Sequence, residues 1–421
     1  MKMWSKAAEL AARTPGSRNR YVDFLGAALA RRRRMTPAHL GVARLVVASI
    51  VILAGVSGAQ ERPSVPAKSS PLAAFLRDHA RPPQDYLVGE FADHDVVFVG
   101  ERHWVRQDVE FVQSLIPKLH AAGVHLLAIE FARHDDQAAL DALVTAPKYD
   151  EVAARDIFFR ANTTWGYVEY IDLCRRAWEL NHALPEGAPR FRILGLNYSP
   201  DWSHLRAGMT DADWKLVWNR GSSDEYMGSV ILSEIVEKGE KALVYCGRNH
   251  AFTRYRQPET DETNSRMLRW MKRAGNIVYE KIQARACTIL LHAPVTARNR
   301  KSVKVAQGGL DAAFAEIGNP AKGFDLVDTP AGALEEQRAY YGVGYEHFRM
   351  QDWCDGYVFI APLDRLAGVC VDPLFVTKEN LEAARAGLGS LNDREELRSI
   401  DDFLRSMRES ADIPAAMRRV E

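Results

Sequence analysis

The stretch VVFVGERH, residues 96–103, decides the fold of this chain. Its first four residues are apolar and mostly β-branched, which is typical of a buried strand. The glycine that follows permits a tight turn, so we expect Glu101 and His103 at the carboxyl end of that strand. Ligands of parallel α/β sheets bind at this end of the strands. The stretch therefore predicts a parallel strand that presents two polar side chains to a ligand.

Two further apolar runs end in polar residues of the same kind. Residues 242–246 lead into Gly247-Arg248-Asn249-His250, which repeats the Gly-x-x-His spacing of residues 100–103. Residues 124–129 are mostly apolar and end in Glu130. Apolar residues recur at helical spacing after the first strand, and a strand, helix and strand of this length indicate a right-handed parallel unit. We predict an α/β fold, a mostly parallel sheet with flanking helices and an inserted helical cap, in which the three strand ends form one site.

The polar residues at these strand ends suit two kinds of hydrolysis. They are Glu101, His103, Glu130 and His250. In the first kind, a neutral imidazole with a carboxylate partner acts as general base on water, because the pKa of histidine lies near working pH. In the second, His103, Glu130 and His250 hold a divalent metal such as Mn, Co or Zn, and the metal lowers the pKa of bound water. The residues alone leave both mechanisms open.

Five other residues are candidates for contact with the substrate. Arg102, Arg106 and Arg248 lie in or beside the two motifs, and guanidinium groups match carboxylate and phosphate groups. The alternative is that these arginines form an ordinary solvated loop face. Asn197 and His292 each follow an apolar strand, so their position alone suggests a place in the site. We therefore expect an anionic small-molecule or peptide ligand.

A tyrosine-rich loop offers a different function. Tyr341, Tyr345 and His347 lie on a stretch that also contains two glycines, and tyrosine and histidine are ligands of ferric haem. The plainer interpretation is packing of a surface loop. Haem is therefore the alternative cofactor to a divalent metal.

The composition narrows the class of protein. The chain has 421 residues, 47% of them hydrophobic, and its 55 Lys+Arg balance its 55 Asp+Glu. Such a balance gives no reason to expect nucleic acid or an anionic membrane surface as a partner. The five cysteines show no zinc-type spacing, although a disulfide between Cys354 and Cys370 is an alternative in an oxidising compartment.

The first part of the chain resembles an export signal. Residues 1–34 form a basic, non-globular leader, or are not translated if Met35 is the start. Within residues 35–59 a short apolar run is followed by small residues before Gln60, which is the pattern of a cleaved signal peptide, with an uncleaved membrane anchor as the alternative. Residues 60–71 are a polar linker. We expect an exported protein, periplasmic or secreted, that meets a membrane only through an uncleaved segment.

The remaining chain is expected to form one large domain. We place the α/β domain at residues 72–376, with the helical cap at about 135–190, and a helical C-terminal tail at residues 377–421. Within the domain, the sequence predicts a helix over 263–274 and a strand over 277–282.

The paired motifs resemble a known superfamily, which joins ChaN-like, erythromycin esterase-like and Tiki/TraB-type proteins. Its hallmark is two Gly-x-x-His motifs at strand ends with a glutamate between them, here residues 100–103, residues 247–250 and Glu130. The resemblance covers about 96–291 and extends weakly to 362. It is closest to the ChaN-like branch, through a further set of residues: Gln137, Leu140, Asp141, Trp165, Tyr170 and Asn197.

The resemblance implies three precedents for function. In esterase-like members a histidine activates water, which makes His103 or His250 the base and Glu130 its partner. Tiki-type members are metal-dependent proteases that use both motifs, and ChaN-like members are linked to haem binding and iron uptake. The first motif here lacks the Thr-His-Gly/Glu sequence typical of the esterases, and no lipoprotein cysteine follows the apolar run. We therefore expect an exported hydrolase of esters or amides, with a haem- or iron-binding uptake protein as the alternative.

Overall fold

A seven-stranded sheet forms the centre of the protein. The computed structural model describes residues 69–421 except 262 and 265. The strands of the sheet are β1 (Val96–Glu101), β2 (Leu126–Arg133), β3 (Arg192–Asn197), β4 (Ala242–Gly247), β7 (Ala286–Leu291), β10 (Lys322–Asp325) and β11 (Gly356–Phe359). Two small two-stranded sheets pair β5 (Pro258–Thr260) with β6 (Met267–Trp270) and β8 (Val295–Thr296) with β9 (Ser302–Val303).

The strand order brings the two Gly-x-x-His motifs together. The order is β10-β11-β7-β1-β4-β2-β3, and every neighbouring pair is parallel except β10 with β11. Strand β1 is central and pairs with β4, so that Glu101 lies opposite Gly247. Strand β2 is the other neighbour of β4. The predicted mostly parallel α/β fold with flanking helices is confirmed.

Helices cover both faces of this sheet. The helices before β7 are α1 (Pro71–His79), α2 (Pro83–Gly89), α3 (Arg106–Ala121), α4 (Gln137–Thr145), α5 (Glu151–Ala161), α6 (Val168–Ala183), α7 (Asp211–Val217), α8 (Ser223–Ile231) and α9 (Ala274–Ile282). Alternate residues of β1 point to opposite faces, as a strand requires. Val97 and Val99 pack with α3 and α6, whereas Val96 and Phe98 pack with α8 and α9.

A third apolar cluster joins β10 and β11 to α1 and includes many aromatic rings of the later chain. The remaining helices are α10 (Gly309–Glu316), α11 (Met350–Trp353), α12 (Leu381–Ala386), α13 (Leu391–Glu396), α14 (Ile400–Ser410) and α15 (Ile413–Met417). Phe403 and Met407 of α14 are buried in the same core as α3. The chain after residue 377 is thus helical and packed on the main body. The division into a domain, a cap and a tail stays a prediction.

Two local predictions are wrong. Residues 263–274 do not form a helix, because the described part of this stretch belongs to the β5–β6 hairpin and the turn around it. Residues 277–282 are not a strand but the end of α9, which runs over Ala274–Ile282. Asn276 caps that helix by accepting a hydrogen bond from the backbone N of Arg273 at 2.8 Å. Capping of this kind favours a helix over the β preference of Ile277 and Val278.

Several sequence predictions lie wholly or partly outside the described residues. They are the leader at 1–34, the signal peptide or anchor at 35–59 and most of the linker at 60–71. Across the residues that the structure does describe, none of the helices combines the length and apolar character needed to span a bilayer. All five cysteines are free, with Cys354 buried and Cys370 exposed, so the alternative of a disulfide between them is wrong.

Candidate active site

The carboxyl ends of β1, β4 and β2 carry the four central residues. Glu101 is the last residue of β1, and Gly247, the last of β4, lies opposite it. Glu130 lies within β2, one residue after the pair formed by Ile129 and Tyr245. Parallel pairing places these ends at one edge of the sheet, as the sequence predicts.

Glu101 is a buried acceptor that fixes His103. Its Oε1 lies 2.7 Å from Nδ1 of His103 and accepts a hydrogen bond of 2.6 Å from the hydroxyl of Tyr170. The hydroxyl of Tyr245 donates to the other carboxylate oxygen. The carboxylate requires a proton on Nδ1 of His103, so in the neutral ring Nε2 is the nitrogen that can accept a proton.

His250 is held in the same way by a second carboxylate. Nδ1 of His250 lies 2.7 Å from Oδ1 of Asp224, which stands in the first turn of α8. Asp224 also accepts hydrogen bonds from Arg273 Nη1 at 3.0 Å and from the backbone N of Ala274 at 2.9 Å. Both histidines therefore use Nδ1 for a carboxylate and keep Nε2 for chemistry.

Glu130 pairs with one imidazole, and its charge acts on the other as well. Its Oε1 is 3.4 Å from Nε2 of His250, and its Oε2 accepts a 2.7 Å hydrogen bond from the backbone N of Gly247. A Cβ on residue 247 would stand 2.7 Å from Cε1 of His103 and 3.4 Å from Oε2 of Glu130. Gly247 thus serves to let the ring of His103 approach the backbone, rather than to adopt a special turn.

Gly100 has the same kind of role in the first motif. A Cβ there would lie 2.6 Å from a methyl carbon of Leu290 and 2.9 Å from Cα of Arg248. The unusual backbone comes later, at Trp104, whose φ of 72° is in the left-handed region. A non-glycine residue in this region is strained, and such strain is concentrated at functional sites. The backbone N of Trp104 donates to the hydroxyl of Tyr170 at 3.1 Å, which ties the turn to the Glu101 network.

The neighbouring charges make both histidines more basic than usual. Burial opposes protonation of His103, but the hydrogen bond to Glu101 and the charge of Glu130 outweigh burial and raise its pKa above 6.5. Burial likewise opposes protonation of His250, but Asp224 and Glu130 outweigh it and raise the pKa to about 9. Despite its own burial, Asp224 has a pKa below the usual range, mainly because of His250.

The site is partly exposed to solvent and is bordered by aromatic rings. The side chains of His103, His250 and Glu130 are 24%, 21% and 15% exposed, respectively. The rings of Trp165 and Phe131 stand edge-on to His103, with centroids 5.0 Å and 6.0 Å away. An organic ligand that reaches the imidazoles therefore meets an apolar wall on the β2 side.

Two of the three predicted arginines lie near Glu101. Burial and the charge of Arg248 lower the pKa of Arg102 to about 10. Arg248 is 8% exposed, and its Nη1 donates to the carbonyl of Pro294 at 3.1 Å. Close by, the buried carboxylate of Asp108 has no hydrogen-bond partner, and burial followed by Glu101 raises its pKa well above the usual value. Arg102 and Arg248 therefore provide positive charge behind the site.

The other predicted contact residues are engaged elsewhere. Arg106 forms an ion pair of 3.2 Å with Glu169 and donates to the carbonyl of Gly368. Asn197 accepts a hydrogen bond from the backbone N of the next residue, Tyr198, at 3.0 Å. His292 is 2% exposed, with Nδ1 3.1 Å from the hydroxyl of Tyr357.

The tyrosine-rich loop reaches the second motif at one point. The hydroxyl of Tyr341 donates to Oδ1 of Asn249 at 2.9 Å, and that of Tyr345 donates to the carbonyl of Arg256 at 2.8 Å. Tyr341 is 5% exposed, whereas His347 is exposed to solvent. Tyr341 is therefore the loop residue that lies next to the predicted site.

The four central residues only partly fit a metal site. A histidine that ligates a metal usually gives its other nitrogen to a carboxylate, as His103 and His250 both do. Their Nε2 atoms and the carboxylate of Glu130 are suitable ligand types. Among the described residues, however, the trio with ligand atoms within 4.8 Å of one another is Glu90, His94 and Cys287. A metal between His103, Glu130 and His250 would need the side chains to draw closer.

The sequence reasoning missed the residues that support the two histidines. They are Tyr170, Tyr245, Asp224 and Arg273. Tyr245 could have been predicted from the sequence, because it is a hydroxyl-bearing residue two positions before Gly247 in a strand that is otherwise apolar. Tyr170 was noted only for the family resemblance, and no local pattern links Asp224 to His250.

Comparison with known proteins supports the fold. No protein-family model matches the chain. The type III effector protein HopBA1 of Pseudomonas syringae pv. aptata is 37% identical over 65 residues, which are 14% of this chain and 27% of that protein. The match thus spans about a quarter of the length of this curated relative.

Solved structures extend the likeness over more of the chain. A succinoglycan biosynthesis protein superposes with a TM-score of 0.50 at 10% identity, covering 72% of this chain and 98% of that one. The two chains share one fold. Similar structures also include the erythromycin esterase EreC, with a TM-score of 0.43, 11% identity and coverage of 69% and 95%. ChaN of Campylobacter jejuni, in a structure with cofacial haem binding, has a TM-score of 0.32, 13% identity and coverage of 51% and 87%.

ChaN and erythromycin esterase are two of the three groups that the sequence resembles. What the comparison shows is a shared fold, through the succinoglycan biosynthesis protein. Identities of 10–13% carry no activity from one protein to another.

Proposed function

We propose that this protein is a hydrolase that uses water to cleave an ester or amide, with Glu101, His103, Glu130 and His250 as its catalytic centre. The observation that carries the proposal is the pair of carboxylate-bound imidazoles, one of them paired with Glu130. An imidazole with a fixed tautomer and a free Nε2 is the usual general base or acid in hydrolysis.

The two histidines have different roles in this proposal. His103 accepts a proton from water at Nε2 as the water oxygen bonds to the substrate carbonyl carbon. His250, with its pKa near 9, is protonated at neutral pH and gives the Nε2 proton to the leaving oxygen or nitrogen. Glu130 stabilises the positive charge on both rings through the intermediate.

A divalent cation is compatible with the same residues. His103, Glu130 and His250 would hold it, in which case Mn, Co or Zn would supply a more acidic bound water. The roles of Glu101 and Asp224 are unchanged, because each still fixes a histidine through Nδ1.

The proposed substrate carries a carboxylate or phosphate group. The guanidinium groups of Arg102 and Arg248 both act on the carboxyl group of Asp108, and Arg248 is 8% exposed. A negative group on the substrate would balance this charge, whereas Arg106 is already paired with Glu169. We also propose, from the pattern of residues 35–59, that the protein is exported.

Haem binding is the second candidate. It is favoured by Tyr341, whose hydroxyl lies against Asn249 of the second motif. The ChaN structure with cofacial haem offers a precedent for this fold. In this case the cleft holds haem or another iron complex and no bond is broken.

A substrate panel tests the proposal. The purified full chain is assayed on aryl esters and amides, each in a neutral form and in a carboxylate-bearing form, with and without a chelator. We expect turnover of the carboxylate-bearing compounds with the higher kcat/KM, and loss of that preference in Arg102→Ala. Loss of turnover on chelation would assign the metal-assisted mechanism. Absence of turnover, together with saturable haemin binding that weakens in Tyr341→Phe, would overturn the hydrolase in favour of the haem protein.

A further inference from the structure

A second group of ligand-type side chains lies at the opposite edge of the sheet. Glu90 begins a short 3₁₀ helix over Glu90–Ala92, His94 lies in the turn before β1, and Cys287 is the second residue of β7. Their carboxylate oxygen, ring nitrogen and sulfur lie within 4.8 Å of one another. This edge holds the amino ends of β1 and β7, so the group is separate from the catalytic centre at the carboxyl ends.

The three ligand types together select a particular class of metal. A thiolate, an imidazole and a carboxylate suit Zn²⁺, which binds sulfur, nitrogen and oxygen in a tetrahedral site. Hard cations such as Mg²⁺ and Ca²⁺ prefer oxygen alone. Nδ1 of His94 lies 2.9 Å from the backbone carbonyl of Glu90 and 3.7 Å from its Oε2.

The surroundings of this group contain more negative than positive charge. Nη2 of Arg81 lies 3.3 Å from Oε1 of Glu90. The carboxylates of Asp325 and Asp355 act on the same group. A bound cation would stabilise the carboxylate and the thiolate at once.

We propose that Glu90, His94 and Cys287 bind one Zn²⁺ ion, with a fourth position left for water or a further oxygen ligand. The ion would tie the turn that precedes β1 to β7, its neighbour in the sheet, and so stabilise the sheet rather than take part in hydrolysis. The proposal does not depend on the proposed catalytic function.

Cobalt substitution tests this site directly. The reduced full chain is stripped of metal, titrated with Co²⁺ and followed for the thiolate-to-cobalt charge-transfer band, and Zn²⁺ content and Tm are then measured. We expect one Co²⁺ ion per chain to give the charge-transfer band, and a rise in Tm with Zn²⁺. The band should be lost in Cys287→Ser and kept in Cys246→Ser, since Cys246 is a buried cysteine near the opposite end of β4, the other strand that pairs with β1.

A second variant keeps the test decisive if Cys287→Ser does not fold. His94 has a side chain 20% exposed, so His94→Gln should fold and should weaken Zn²⁺ binding at least tenfold. His103→Ala should leave the charge-transfer band unchanged, because it alters only the catalytic centre. A band that survives in Cys287→Ser, unchanged Zn²⁺ affinity in His94→Gln, or no Co²⁺ or Zn²⁺ binding by the unaltered chain would each overturn the proposal.

Discussion

His103→Ala is expected to lower kcat for ester hydrolysis by about 10²–10⁴-fold, the usual contribution of a general base. The variant removes the imidazole whose Nδ1 lies 2.7 Å from Oε1 of Glu101. This ring packs against the backbone of Gly247, where a Cβ would collide with it. Binding of the substrate should change far less, because Arg102, Arg248 and the aromatic wall remain. The measurement is kcat and KM on the best ester of the substrate panel.

His204→Ala is the matched control for this variant. His204 has a side chain 39% exposed and lies in a short 3₁₀ helix over Trp202–His204, outside the catalytic centre. Its replacement should leave kcat within about twofold, since surface changes have small effects. If His103→Ala kept kcat within tenfold of the unaltered protein while the circular dichroism stayed the same, His103 would not be the base.

Asp224→Ala is expected to lower the free energy of unfolding by about 3–5 kcal/mol, because it removes a buried carboxylate from the partly buried cations of His250 and Arg273. Asp224 is 7% exposed and accepts hydrogen bonds from His250, Arg273 and the backbone N of Ala274. Loss of the carboxylate also lowers the pKa of His250, since Asp224 is the largest of the groups that raise it. Urea unfolding measures the first effect.

Asp211→Ala provides the comparison for the unfolding measurement. Asp211 is also an acid in the first turn of a helix, but it is exposed to solvent. Its replacement should change the unfolding free energy by about 0.5 kcal/mol or less. A loss below about 1 kcal/mol in Asp224→Ala would show that the ion pairs seen around Asp224 do not stabilise the folded state.

The sequence was sufficient to predict the framework of the site. The apolar run 96–99 and the two Gly-x-x-His motifs predicted parallel strands whose carboxyl ends meet, and the structure pairs Glu101 with Gly247. The prediction of these strands succeeded because a parallel strand that is buried on both faces consists of a short, continuous run of apolar residues. The role of the glycines was different from the one expected, because close approach of His103 and Leu290, rather than a tight turn, requires them.

Local sequence patterns could not predict the residues that support the two histidines. Asp224 is 26 residues before His250, and Tyr170 is 69 residues after Glu101, so only the fold brings each pair together. The prediction of a strand over 277–282 was wrong for a related reason. Ile277 and Val278 are β-branched and favour a strand locally, but they belong to the helix Ala274–Ile282. Burial of Ala274 and Val278, four residues apart, shows the helical face that actually packs on the sheet.

The pH dependence of kcat/KM tests the central claim most directly. The base must be unprotonated, so activity should fall at pH values below the pKa of His103, which lies above 6.5. The acid must be protonated, so activity should fall again above the pKa of His250, about 9. We predict a bell-shaped profile whose alkaline limb moves to lower pH in Asp224→Ala. A profile that keeps rising beyond pH 9 and that Asp224→Ala does not alter would contradict the proposed roles of both histidines.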